Sequence, residues 1–185
     1  MRRMLAIAAL VAAPVAAHAQ WEFGGQIGLR TRSDAGTTVN GSQIGAIIVH
    51  NSRAFSQTLD LLSVQMRGST PTGGAVRENS IEGVLLVRRA LHGAFGAAIG
   101  PAASYSIGCS SGGSGGIGYG QVACVNDFTT DGTVRIGYAV QLDAVKANAR
   151  GAVFRAGLRA TGHTVGAGSA TPKPSVWAGM TLPLR

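Results

Sequence analysis

Few side chains in this 185-residue chain carry types and spacing suited to chemistry. His163 is followed closely by Ser169, a distant likeness to a His–Ser hydrolase pair. A hydrolytic serine needs a base within hydrogen-bond reach and a carboxylate that orients the base. No carboxylate is obviously placed for that role, and no Gly-x-Ser-x-Gly elbow occurs. His50 and His92 fall beside short turn-like stretches and need no special role. The stretch CSSGGSGGIGYGQVAC spans residues 109–124, and its Gly115 and Gly118 invite comparison with a phosphate-binding loop. No Lys-Ser/Thr follows, and no strand leads into a helix there. The chain is therefore not expected to be an enzyme, and it implies no cofactor or metal.

The remaining chemistry lies in charged residues set singly among apolar ones. In TVRIGYAVQLDAV, residues 133–145, Val134, Ile136, Tyr138, Val140, Leu142 and Ala144 alternate with Thr133, Arg135, Gly137, Ala139, Gln141 and Asp143. A period of two is that of a β-strand with unlike faces. Trp21, Phe23, Ile27 and Leu29 alternate in the same way with Glu22, Gln26 and Arg30. So do Ile81, Leu85 and Val87 with Glu82 and Arg88, and Phe154 and Leu158 with Arg155 and Arg159. Two further strands run from Phe95 to Ile107 and from Ser175 to Leu184. In QIGAIIVHN the apolar residues occupy both phases, and in TLDLLSVQMR the phase slips between Leu61 and Leu62, as a bulge would allow. The total is about eight strands.

These strands are joined by connections that alternate in length. SDAGTTVNG, GSTPTGGAVREN, the stretch from Gly108 to Gly132 and GHTVGAGSATPKP are long and turn-rich, whereas those near 51–55, 90–93 and 147–151 are tight. Up-and-down strands place alternate connections at opposite ends of a barrel. Bacterial membrane barrels have an even strand number, long external loops and short periplasmic turns.

The chain opens MRRMLAIAALVAAPVAAHAQ: two arginines, an apolar run too short to span a bilayer, then Ala17-His18-Ala19. This pattern predicts a secretory signal peptide over 1–19 and a single exported barrel domain over 20–185. Setting Arg2 and Arg3 aside lowers the formal net charge from +8 to +6. No Lys/Arg cluster with interleaved aromatics follows, so nucleic acid is not an expected partner. Charged residues make up 13% of the chain, against about 25% in ordinary soluble domains. Cys109 and Cys124 are the only cysteines, and in an exported chain they predict a disulfide across the glycine-rich loop.

Which way the alternating faces point decides between two readings. In a soluble periplasmic or secreted barrel the apolar rows form a core, able to hold a small apolar ligand. In a membrane barrel the same rows face lipid, and Glu22, Arg30, Glu82, Arg88, Arg135, Asp143, Arg155 and Arg159 form a polar interior network. Acid and base occur together toward each end of that interior, as buried charges require. The row opposite Phe95–Ile107 is Gly, Ala and Ser without charge, which suits the inside of a narrow barrel better than a wetted surface. Arg32, Arg67, Arg77 and Lys173 fall near the expected outer rim, where they are candidates for contact with lipid phosphates. Pro101 and Pro183 call for a bulge and a barrel-rim position, because proline removes a ladder hydrogen bond.

The chain ends WAGMTLPLR, in which Gly179, Leu182 and Leu184 resemble the C-terminal insertion signal of outer-membrane proteins, without its terminal aromatic. With the strand pattern, this resembles the small outer-membrane barrels of the OmpA transmembrane-domain, OmpX and opacity-protein type. The resemblance implies an antiparallel up-and-down transmembrane β-barrel in the outer membrane of a Gram-negative cell. It implies a role in envelope integrity, adhesion or surface recognition, with an interior too full for a wide porin. The partners implied are outer-membrane lipids and lipopolysaccharide, the barrel-assembly machinery during biogenesis, and a surface partner met by the external loops.

Overall fold

The computed structural model describes residues 20–34, 37–52, 54–69, 75–112, 134–165 and 172–184. The signal peptide expected over 1–19 lies outside them. Eight strands follow in order: β1 (Gln20–Asp34), β2 (Thr37–Asn51), β3 (Ser56–Ser69), β4 (Ala75–His92), β5 (Phe95–Gly112), β6 (Val134–Ala147), β7 (Val153–Val165) and β8 (Lys173–Pro183). Each pairs antiparallel with the next, and β8 returns to β1, so the sheet closes into a barrel with no unpaired edge. No helix occurs among the described residues.

The register fixes the barrel's proportions. Following partners from Gln20 leads through Asn51, Ser56, Arg88, Ala98, Gln141, Arg159 and Ser175 back to β1 at Arg30. One circuit thus climbs from residue 20 to residue 30 of the same strand. With ~3.3 Å per residue and ~4.8 Å between strands, this stagger over eight strands gives a tilt of about 40°. Each residue then advances about 2.5 Å along the barrel axis, and each step to the next strand about 3 Å.

At one end the connections are tight. Gly93 (φ 57°) and Gly151 (φ 85°) take the left-handed conformation that a side chain disfavours. Asn148 accepts from the backbone N–H groups of Arg150 and Ala152, both at 2.9 Å, and so pins the β6–β7 turn. At the opposite end the strands run further than composition suggests. Ser33, Asp34 and Thr37–Gly41 are paired strand, although SDAGTTVNG reads as a long connection. Residues 75–79 and 108–112 are likewise strand. Val39 turns inward and is fully buried, and Glu78 is buried between outward Arg77 and Asn79. Side-chain parity extends the ladder there despite turn-like neighbours.

The apolar rows face outward. Leu29 is 70% exposed, Ile44 63%, Leu142 59% and Val176 59%, and every strand contributes such residues. The inner face is divided. On β2, β3 and β4 it is largely apolar, with Val39, Ile47, Val49, Leu62, Val64, Met66, Val84 and Leu86 all buried. The blurred phases in these segments therefore reflect apolar residues on both faces. The bulge expected between Leu61 and Leu62 is absent: β3 keeps one register from Ser56 to Ser69 against both neighbours. Nor does a bulge form at Pro101, since Val84↔Ala102 and Val87↔Ile99 share one register across it. The register shifts instead occur at Asn79/Ser80, Ala90/His92 and Ile136/Gly137. Pro183 closes β8 opposite Glu22 at the barrel rim.

Candidate functional site

Parity on β1 turns Glu22, Gln26, Arg30 and Arg32 into the barrel, between outward Trp21, Ile27 and Leu29. The same rule brings charged residues of β3, β4, β6, β7 and β8 to face them. Five buried or half-buried ion pairs result among the described residues.

Near the turn end, Arg155 Nη2 donates to Glu22 Oε2 at 2.8 Å, and Asn51 donates to the other carboxylate oxygen at 2.6 Å. Arg88 Nε donates to Asp143 Oδ1 at 2.7 Å, while Gln141 donates to Oδ2 at 2.9 Å. At mid-height Arg159 pairs with Asp60, donates to Gln141 Oε1 at 2.8 Å, and lies 5.3 Å from the Trp177 ring centroid. About 20 Å nearer the opposite end than Glu22, Arg30 grips Glu82 with two bonds of 2.6 and 2.8 Å. Above it Arg32 reaches Glu78 at 3.4 Å. Charges this deep persist only when paired, because desolvation otherwise costs several kcal/mol per ion.

Of the interior residues expected from sequence, Glu22, Arg30, Glu82, Asp143, Arg155 and Arg159 are buried in these pairs, and Arg88 is half-buried in one. Arg135 is buried on β6, in register with Ser104. Four charged side chains that the sequence pattern does not place inside are buried there too: Arg32, Asp60, Glu78 and Lys173. Asp60 was hidden by the supposed slip at Leu61, although an unbroken alternation of Thr58, Asp60, Leu62 and Val64 would have found it. Arg32 and Lys173 were expected on the outer rim against lipid, yet they are 3% and 7% exposed and point inward. Their spacing of two residues from inward Arg30 and Ser175 required that. Arg67 and Arg77 do face outward.

A cavity of about 10 Å³ lies among Arg30, Arg32, Glu78, Glu82, Ser104 and Lys173, room for about one water. His163 is buried within the barrel and shares a 3.1 Å hydrogen bond between its Nε2 and Ser104 Oγ. Among the described residues its Nδ1 has no hydrogen-bond partner, so none of their carboxylates orients this Ser–His pair as a nucleophile would need. Ser169, the partner suggested by sequence, lies outside the described residues, as do the Cys109 side chain and all of Cys124. His50 stacks on Trp21 with ring centroids 4.5 Å apart, and His92 is exposed at the end of β4.

At the chain's end, Leu182 and Leu184 lie on the outer face, 52% and 60% exposed. Leu184 N–H donates to Trp21 O at 2.8 Å, extending the β8–β1 ladder. Gly179 turns inward, where an added Cβ would lie 2.8 Å from both Gly25 O and Ile47 Cδ1. Compared with models of known protein families and with curated proteins, the chain matches none.

Proposed function

We propose that the chain is an outer-membrane β-barrel protein whose role is structural or interactive, in envelope integrity or surface recognition. One observation carries this reading: exposed apolar rows on all eight strands enclose an interior of buried ion pairs. Soluble monomers rarely expose apolar patches beyond a few hundred Å², whereas a lipid-facing barrel requires an apolar outer band. The dimensions agree. From Trp21 to Val134 and Ile107 the outward apolar residues span about 30 Å along the axis, enough to contain the ~25 Å band of outer-membrane barrels. Exposed Trp21, Phe23, Phe55, Phe95 and Phe154 cluster toward the turn end, and exposed Tyr105 and Tyr138 lie toward the other, as interfacial aromatic girdles would.

In this reading the leader directs export, the assembly machinery inserts the barrel through its last strand, and the external connections meet lipopolysaccharide or a surface partner. The packed interior favours anchoring and display over wide-pore transport. A soluble barrel holding an apolar ligand would need an open apolar core, whereas the cavity between Arg30, Glu82 and Lys173 is polar and admits about one water.

Fractionation tests the proposal. Outer membranes from expressing cells should contain the protein, extraction should require detergent, and the unboiled sample should migrate faster in SDS gels than the boiled one. A water-soluble protein with no heat-dependent shift would sink it.

A further inference from the structure

Arg67 and Arg77 stand directly opposite each other on β3 and β4, both exposed on the outer face. Cross-strand partners lie about 5 Å apart at Cβ, and like charges so placed destabilise a sheet unless something neutralises them. Neither arginine pairs with a carboxylate among the described residues; the adjacent Glu78 points inward to Arg32. Asn40, in register with Arg67, continues this polar row toward β1, where it bonds Thr31 at 2.6 Å.

The next outward row, one step toward the turn end, holds Ser42, Gln65 and Asn79. Below it begins an outer-surface groove of about 500 Å³ lined by Ile27, Leu29, Ser42, Ile44, Ser63 and Gln65. The groove's polar edge thus lies against the arginine row and its apolar side chains run toward mid-barrel. Arg67 and Arg77 lie about 4–7 Å beyond Tyr105 along the axis, level with exposed Ile107 and Val134 at the end of the apolar band. Two unneutralised guanidiniums above a mainly apolar groove complement one kind of molecule: an amphiphile with an anionic phosphate head and an acyl tail. Arginine's planar fork suits phosphate oxygens particularly well.

We propose that this face of β1–β4 binds one phosphorylated lipid, its phosphate between Arg67 and Arg77 and an acyl chain in the groove beneath. The inference rests on the outer-membrane reading and deepens it by naming the lipid's chemistry and the residues that select it. It also narrows the rim arginines suggested by sequence to the two that face outward.

The test uses the full folded barrel in an uncharged detergent, with lipid binding read by native mass spectrometry. The probes are diphosphorylated lipid A, the same lipid without phosphates, and inorganic phosphate. The wild-type chain should retain one phosphorylated lipid. Arg67→Gln with Arg77→Gln should weaken retention by tenfold or more, as expected for loss of charge-assisted bonds to phosphate. Arg89→Gln, an outward arginine near the turn end, should leave it unchanged. Heat-dependent gel mobility checks that each variant is folded. Equal retention of the dephosphorylated lipid, equal loss in Arg89→Gln, or displacement by millimolar inorganic phosphate would each overturn the site. A protein that never requires detergent would instead fail the underlying membrane reading.

Discussion

Replacing Glu82 by alanine should be among the most damaging single changes in this barrel. Its carboxylate is 2% exposed, as is the Arg30 side chain it holds. Both guanidinium Nη groups bond to it, and Thr161 Oγ1 adds a longer contact at 3.4 Å. Taking the charge centres as ~4 Å apart at an effective dielectric of ~20 gives an attraction of about 4 kcal/mol. Removing one partner of a buried pair strands the other, and such changes cost about 3–5 kcal/mol. Arg30→Met combined with Glu82→Leu removes both charges and should cost under ~2 kcal/mol, because neither ion is left unpaired. The assay is urea unfolding from detergent micelles, followed by tryptophan fluorescence and gel mobility. With a slope of ~2 kcal/mol/M, the alanine variant's midpoint should fall by about 2 M and the double variant's by less than 1 M. A single variant within 0.5 M of the parent, or a double variant as impaired as the two singles added, would refute the pairing argument.

Three further outcomes follow from parity and packing. Val140→Lys places a cation on the outer apolar row and should cost about 2–4 kcal/mol of membrane stability, reducing the fraction that shows heat-dependent mobility. If Val140→Lys folds as well as the parent, that face does not meet lipid. Gly45→Ala should destabilise by about 1–3 kcal/mol, because the added Cβ would lie 2.0 Å from the Leu61 carbonyl oxygen across the β2–β3 ladder; an unchanged urea midpoint would mean the strands can separate there freely. Trp177→Phe should cost less than ~1.5 kcal/mol, since the indole N–H has no hydrogen-bond partner and the ring keeps most of its packing beneath Arg159. A loss above 3 kcal/mol would show that the N–H is bonded after all.

Much of this fold is legible in the sequence because one rule, parity along extended chain, governs every strand. It puts Glu22 and Arg30 inside and Leu29 outside without reference to any neighbour. The rule fails to show itself where both faces are apolar: Ile47 and Val49 line the inner wall while Ile44 faces out, so QIGAIIVHN displays no alternation although its geometry alternates. On β3 the same two-faced apolarity reads as a slip between Leu61 and Leu62 and hides Asp60, the partner of Arg159. Sidedness at the rim shows the opposite error. Nearness to the barrel's end places Arg32 and Lys173 on the outer rim, whereas their phase relative to Arg30 and Ser175 turns them inward. Strand ends were similarly obscured, because glycine, serine and asparagine read as turn residues even where a paired partner keeps them extended.

Pair partners were not legible at all, and the reason lies in where the pairs run. None of the five joins hydrogen-bonded neighbours. Arg30–Glu82 and Arg32–Glu78 link β1 to β4, Arg155–Glu22 links β7 to β1, and Arg88–Asp143 links β4 to β6. Arg159–Asp60 links β7 to β3, four strands apart in a ring of eight and so across the full diameter. Such bonds depend on the stagger of the closed sheet, which no local pattern reveals. They also brace walls that backbone hydrogen bonding alone holds only edge to edge. Widening the lumen at mid-barrel would part the Arg159–Asp60 contact, leaving Arg159 to Gln141 and the Asp60 carboxylate to the apolar wall of β2–β4. The same side chains that make the interior polar therefore resist its widening.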